Sequence, residues 1–218
     1  MKNIIIFGAG GHAKVIADML EKQDNYNVLG FLDDNVSKGT EIYGYKVLGG
    51  KDFISEKSNE IFGGVVALGD NWVRKVVVEQ IIEKNKNFNF ITVIHPSSSI
   101  ARGVKIGKGS VVMAGTIINS DAIIGEHCII NTKSSVGHDS LVKDYSTIAP
   151  NATVAGGVII GKCSTVSISS TILHGITVGD NTVVGAGATV IQDLPSHTVA
   201  YGTPAKVIRK RKENERYL

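Results

Sequence analysis

The sequence predicts two architectures in one chain: an α/β domain over residues 1–94 and an all-β parallel helix of stacked coils over residues 95–218. Branched aliphatics recur every six residues from Ile100 to Val190. Before them, short apolar strands alternate with helical patterns around a glycine-rich turn. The composition agrees: 25 Gly and only 6% aromatic residues suit a Val/Ile core wound on tight, repetitive turns.

Counting in sixes gives Ile100, Ile106, Val112, Ile118, Ile124, Ile130, Val136, Val142, Ile148, Val154, Ile160, Val166, Ile172, Val178, Val184 and Val190. Sixteen Ile or Val in a row has a chance on the order of 10⁻⁶ at the chain's own 43% apolar frequency. The period fits neither a helix nor a plain alternating strand. It fits a chain that turns a corner every six residues, so that three hexapeptides close a triangular coil and each branched side chain stacks on the one eighteen residues away. Small residues four places on, such as Ser110, Ser134, Ser140 and Ser164, leave room inside the prism. Glycines directly after the branched residue, as at Gly107, Gly137 and Gly161, are expected to relieve the corners.

Residues 1–94 follow other rules. Lys2 to Phe7 reads as a strand, followed by Gly8-Ala9-Gly10-Gly11-His12-Ala13 and a helix through Val15, Ile16, Met19 and Leu20. Val28 to Leu32 is a second strand ending in Asp33-Asp34. Tyr45 to Leu48 and Val65 to Leu68 read as further strands, Trp72 to Glu83 as an amphipathic helix and Phe88 to Ile94 as the last strand. This alternation predicts a small parallel sheet with helices on both faces. His95-Pro96 and the serines after it mark the junction.

Gly8-x-Gly10-x-x-Ala13, with an acidic pair about twenty residues on, matches a dinucleotide-binding fingerprint. Glycines let the backbone approach a phosphate, and the helix N-terminus attracts its charge. Fewer than 100 residues leave no room for a dehydrogenase's second half and substrate domain, so a nucleotide-linked sugar held through its phosphates and base fits better than NAD. The alternative is a plain tight turn before an ordinary helix. His12 either contacts the ligand or merely starts the helix.

Of six histidines, His138 is the best candidate base. It stands in Val136-Gly137-His138-Asp139, where a corner can turn both side chains to one cleft, and a carboxylate on Nδ1 fixes the tautomer and leaves Nε2 as acceptor. The bland alternative is an exposed turn histidine beside a solvated Asp139. His174 lies thirty-six residues on, in register two coils away, but no third ligand of suitable spacing accompanies the pair, and no metal is expected. His127 is expected to be solvated. The net charge of +3 gives no broad footprint for nucleic acid, and the basic run from Lys206 to Arg216 is either a solvated end or a contact for a cofactor phosphate. Cys128 and Cys163 read as free thiols. With no long apolar run and no signal-like N-terminus, a soluble cytoplasmic protein without membrane insertion is expected.

These motifs, with Phe31-Leu32-Asp33-Asp34, Ile129-Ile130-Asn131-Thr132 and Tyr201-Gly202-Thr203-Pro204-Ala205-Lys206, resemble the hexapeptide-repeat acyltransferases over essentially the whole chain. More narrowly, they resemble the sialic-acid O-acetyltransferase and nucleotide-aminosugar N-acetyltransferase subfamily. The resemblance implies a Rossmann-like N-terminal domain that binds the nucleotide through Gly8, Gly10, Gly11, His12, Asp33 and Asp34, and a left-handed β-helix assembled as a homotrimer with active sites between subunits. It implies acetyl-CoA as co-substrate along the outside of the coils, His138 as general base assisted by Asp139, and the Gly156 N–H as donor to the thioester carbonyl. Many relatives carry a second histidine at the position of Thr147, whose hydroxyl can still donate here, and Lys206 is expected on the cofactor side. The register never breaks between Ile100 and Val190, so acceptor specificity must come from the N-terminal domain or a neighbouring subunit. The expected reaction is acetylation of the 4-amine of a nucleotide-linked deoxysugar. The alternatives are O-acetylation of sialic acid or a related sugar, and a non-catalytic sugar-nucleotide scaffold.

Overall fold

The structure is a computed structural model that describes residues 1–23, 25–56 and 60–216. The N-terminal unit runs β1 (Lys2–Phe7), α1 (Gly11–Glu21), β2 (Tyr26–Leu32), β3 (Glu41–Ile42), β4 (Tyr45–Gly49), α2 (Phe53–Glu56), β5 (Gly63–Val66) and α3 (Asn71–Lys84). Its sheet has the order β3-β4-β2-β1-β5, parallel except for the β3–β4 hairpin. The central strand is buried on both faces, as its unbroken apolar run requires. Ile4 and Ile6 pack with Ile16 and Leu20 of α1, while Ile5 and Phe7 pack with Val78 and Ile81 of α3. Asp70 starts α3 by accepting a hydrogen bond from the Val73 N–H (3.0 Å).

The expected last strand, Phe88 to Ile94, does not form as one element. Phe90 makes a single bridge to Gly64, and Phe88 and Phe90 join Phe7 in an edge-to-face cluster with centroids 5.0–5.5 Å apart. Val93–Ile94 then forms β6, which pairs with Val111–Val112 in the β-helix. The first coil therefore opens just before His95.

Between residues 99 and 190 run sixteen two-residue strands, from β7 (Ser99–Ile100) to β22 (Thr189–Val190). From β7 to β19 each pairs in parallel with the strand eighteen residues on, as in Ile118↔Val136↔Val154↔Ile172. The strands form the three sides of a left-handed β-helix, in sheets of six, five and eight strands. The eight-stranded sheet includes β6 below and, above, the hairpin of β23 (Thr198–Gly202) and β24 (Ala205–Lys210). From Val112 to Val190 all fourteen period residues are buried, while Ile100 is 38% exposed because no coil lies beneath it.

The corners work differently from the expectation. Gly137 and Gly161 do not have positive φ; a Cβ at either would lie 2.4 Å from backbone atoms of the next coil, so glycine there permits close stacking. The left-handed residue comes two places later. It recurs every six residues from Gly103 to Gly187, at nine non-glycine positions including Asp121, His127, Asp139 and Tyr145. The small residues also do more than leave room. Ser140, Ser146 and Ser164 each donate to the carbonyl fifteen residues on (2.6–2.9 Å) and accept from the N–H eighteen residues on (2.9–3.2 Å). They thereby satisfy backbone groups sealed inside the prism.

The outer face of the eight-stranded sheet lies against the N-terminal unit. Val111, Met113 and Ile129 share a core with α1. His127, expected in solvent, is buried there: it stacks on Tyr145 (centroids 5.2 Å apart) and meets Phe90 edge-on (4.7 Å). Burial lowers its pKa to about 4, helped by the charges of Arg74 and Lys108 and opposed by Asp144. The unfolded chain therefore takes up the His127 proton first as pH falls from about 6.5 towards 4. The neutral ring's contribution to stability is complete above that window and shrinks within it by roughly 3 kcal/mol at most. Urea unfolding at pH 7 and pH 5 should show the loss, and His127→Phe should reduce it, leaving the part due to His12, whose pKa is lowered in the same direction. Cys128 and Cys163 are buried free thiols.

Candidate functional site

At the carboxyl end of β1 the chain must turn sharply into α1. Gly8 has φ +104°, and a Cβ there would lie 2.9 Å from Leu68 Cδ2 and 3.0 Å from the Ala67 carbonyl oxygen, so only glycine fits without a shift. Gly10 caps α1 with no side-chain hydrogen bond, and the space around Gly10 and Gly11 is open. The helix thus presents uncapped N–H groups and its positive end outward. Asp33 braces this turn: one carboxylate oxygen accepts from the Ala9 N–H and the other from the Asn35 N–H, both at 2.9 Å. Asp34 pairs with Lys51 (2.7 Å), and that contact holds its carboxyl below the usual range.

Gly8, Asp33, Asp34, Lys51 and Leu68 line one cleft. Gly11 and His12 face a second cleft, whose other wall is the β-helix at Met113, Asn131, Thr132 and Thr147. Burial lowers the His12 pKa to about 4, with Arg74 adding to the effect, and its buried Nε2 has no hydrogen-bond partner among the described residues. A neutral ring with an unsatisfied nitrogen therefore stands at the wall of this cleft.

On the β-helix, His138 and Asp139 occupy the corner between the six- and five-stranded sheets. Asp139 adopts φ 56°, and this left-handed turn brings the two neighbouring side chains together: His138 Nδ1 and Asp139 Oδ2 are 2.7 Å apart. Both are well exposed, at 69% and 68%. Gly156 stands one coil above in the same column, with His174 one coil beyond. A Cβ on Gly156 would lie 2.5 Å from His138 Nε2, so the imidazole occupies the space that glycine leaves. The Gly156 N–H has no acceptor among the described residues, whereas its carbonyl accepts from the Gly175 N–H (3.0 Å). A basic ring nitrogen and an open backbone donor are thus adjacent. In a pair this exposed the Asp139 contribution is small. Asp139→Asn, a residue that tolerates the left-handed turn, should cost turnover about fivefold or less without unfolding the chain, as initial rates would show.

Thr147 and Lys206 are not brought to this corner. Thr147 is buried on the eight-stranded sheet, where its hydroxyl donates to Asn71 Oδ1 (2.7 Å). Lys206 is exposed on β24, opposite Tyr201. Arg74 and Asn71, absent from the sequence reading of the site, link the two clefts' walls from inside. Among the described residues no three His, Cys, Asp or Glu side chains gather into a metal-binding group, and no helix is long and apolar enough to cross a membrane.

Residues 3–81 match the family model of the PglD N-terminal domain. A variant of perosamine N-acetyltransferase from Caulobacter crescentus, solved with CoA and GDP-perosamine, superposes with a TM-score of 0.91 at 31% identity, over 96% of this chain and 98% of that one. The acetyltransferase domain of PglB from Neisseria gonorrhoeae FA1090, in complex with acetyl coenzyme A, gives 0.89 at 31% identity, over 95% and 99%. UDP-N-acetylbacillosamine N-acetyltransferase of Bacillus subtilis (strain 168) is 36% identical over 118 residues, a match spanning 52% of each protein, so the chain aligns with about half the length of that curated relative. With the coil register, the glycine-rich cradle and the His138 corner already in place, these likenesses show that the chain belongs to the hexapeptide-repeat acetyltransferases of nucleotide-linked aminosugars.

Proposed function

We propose that the protein transfers the acetyl group of acetyl-CoA to the 4-amine of a nucleotide-linked deoxysugar destined for a surface glycan. The observation that carries this reading is the juxtaposition of His138 Nε2 with the open Gly156 N–H, on a chain that also holds a phosphate-ready glycine turn. The amine nitrogen attacks the thioester carbonyl carbon while His138 Nε2 takes its proton. The Gly156 N–H donates to the oxygen as negative charge develops on it. The C–S bond then breaks, and the sulfur leaves with the proton returned by the imidazolium. Asp139 holds the ring and supports its positive charge. The Thr147 hydroxyl is committed to Asn71, which leaves Gly156 as the donor at the thioester. Lys206 offers a positive charge for the CoA phosphates.

The nucleotide sits at Gly8, Gly10 and Gly11, with Asp33 and Asp34 at the base or ribose and His12 beside the phosphates or sugar. The protein acts as a cytoplasmic homotrimer. Both sheets that meet at the His138 corner carry apolar outer positions: Ile117, Ile123 and Ile159 are 48%, 42% and 37% exposed. A neighbouring subunit laid on these faces would cover them and exclude water from an imidazole that one chain leaves open.

The deciding experiment measures free-thiol release from acetyl-CoA with UDP-, GDP- and dTDP-linked 4-amino sugars and with free sialic acid. Turnover with one nucleotide-linked amine, accompanied by a rise in Tm with its parent nucleoside diphosphate, is expected. Turnover with sialic acid alone, or with none of them, overturns the assignment.

A further inference from the structure

Arg74 lies in the first turn of α3 and is buried. Its guanidinium donates in three directions. Nε bonds the His127 carbonyl (2.9 Å), and Nη2 bonds the Tyr145 carbonyl (2.9 Å) one coil higher. Nη1 bonds the carbonyls of Leu68 (2.8 Å) and Gly69 (3.1 Å), in the loop between β5 and α3. Nη2 also reaches Asn71 Oδ1 (2.6 Å). Asn71, one helical turn back, accepts from Thr147 and donates through Nδ2 to Thr165 Oγ1 (2.9 Å) and the Ser164 carbonyl (3.1 Å). The residues bonded, 127, 145 and 147, and 164 and 165, belong to three successive coils. The start of α3 is therefore pinned to the β-helix at three levels by directional bonds.

The other end of the fork is functional surface. Leu68 lines the cleft with Asp33 and Asp34, and Gly69 lines the cleft with His12 and Asn131. Apolar packing of α1 against Val111, Met113 and Ile129 also joins the two domains, but it is non-directional and sets no angle. We propose that Arg74, seated by Asn71 and Thr147, is the positioning residue that fixes the nucleotide cradle against the β-helix, so that a bound sugar's amine arrives at the acetyl-transfer corner. This rests on the function proposed above. A planar fork with five donors spans these acceptors; a lysine keeps the charge and reaches only part of them.

The test compares Arg74→Lys and the milder Thr147→Val with wild type. Four quantities are measured: kcat with the nucleotide-linked amine, KM for acetyl-CoA, Kd for the parent nucleoside diphosphate, and thiol release with the same 4-amino sugar free of nucleotide. A displacement of about an ångström between cradle and corner is expected to lower kcat for the linked amine by ten- to roughly a hundredfold in Arg74→Lys. Thr147→Val shifts it in the same direction by less. KM for acetyl-CoA, nucleotide Kd and the free-sugar rate should stay within about twofold. Equal losses in all four readouts, tracking the folded fraction, would reduce Arg74 to a stability role and overturn the inference, as would wild-type turnover in both variants. If wild type binds the nucleotide yet acetylates no nucleotide-linked amine, the functional reading itself fails and this inference falls with it.

Discussion

His138→Ala is expected to lower turnover by 10²–10⁴-fold, the usual contribution of a positioned base. Its stability should barely change. The imidazole is 69% exposed, and its only side-chain partner among the described residues is the equally exposed Asp139 at 2.7 Å, a pair worth about 1 kcal/mol at most. The variant should therefore unfold at nearly the wild-type temperature and retain its KM for acetyl-CoA, with the whole deficit in kcat. Thiol release under saturating acceptor checks the first statement and differential scanning calorimetry the second. Wild-type turnover would remove His138 from the chemistry.

Gly156→Ala should be almost as damaging for a different reason. The backbone there is not left-handed, so alanine brings no conformational strain. Its methyl, however, would sit 2.5 Å from Nε2 and 2.7 Å from Cε1 of the His138 ring, and the ring has solvent on its other side into which to move. The imidazole swings away, the proton acceptor leaves the donor's side, and turnover falls on the order of 10²-fold. Because an exposed side chain yields rather than the core, Tm should hold. Steady-state kinetics beside a thermal melt would show the split. A fall in Tm with normal kcat per folded enzyme would mean that the ring and the glycine do not share a site.

The parts of this structure that follow from local rules were legible in the sequence. A six-residue period specifies stacked coils because each branched residue must bury itself against its copy. His138 and Asp139 are neighbours in the chain, so their pairing needed only a corner. What was hidden depended on contacts far along the chain. Seven residue types besides glycine share the left-handed corner position, so no composition marks it. Coil stacking imposes it instead, while the visible glycines answer to the next coil's backbone. His127 occupies an outward position that reads as solvated, and only docking of the N-terminal unit buries it. Arg74 looks like one more charged residue of an amphipathic helix. Nothing in its surroundings in the chain tells that the carbonyls of His127 and Tyr145, fifty-three and seventy-one residues on, will receive it.

The open lower end and the capped upper end of the prism give the chain a direction of fraying. Within the prism each coil stacks on its two neighbours, so loosening starts where Ile100 has nothing beneath it and proceeds upward. Amide protons should exchange in that order, earliest around residues 99–106 and latest in the middle coils. The imidazole and the glycine above it lie in that slow-exchanging middle, which keeps the chemistry away from the part of the molecule that breathes.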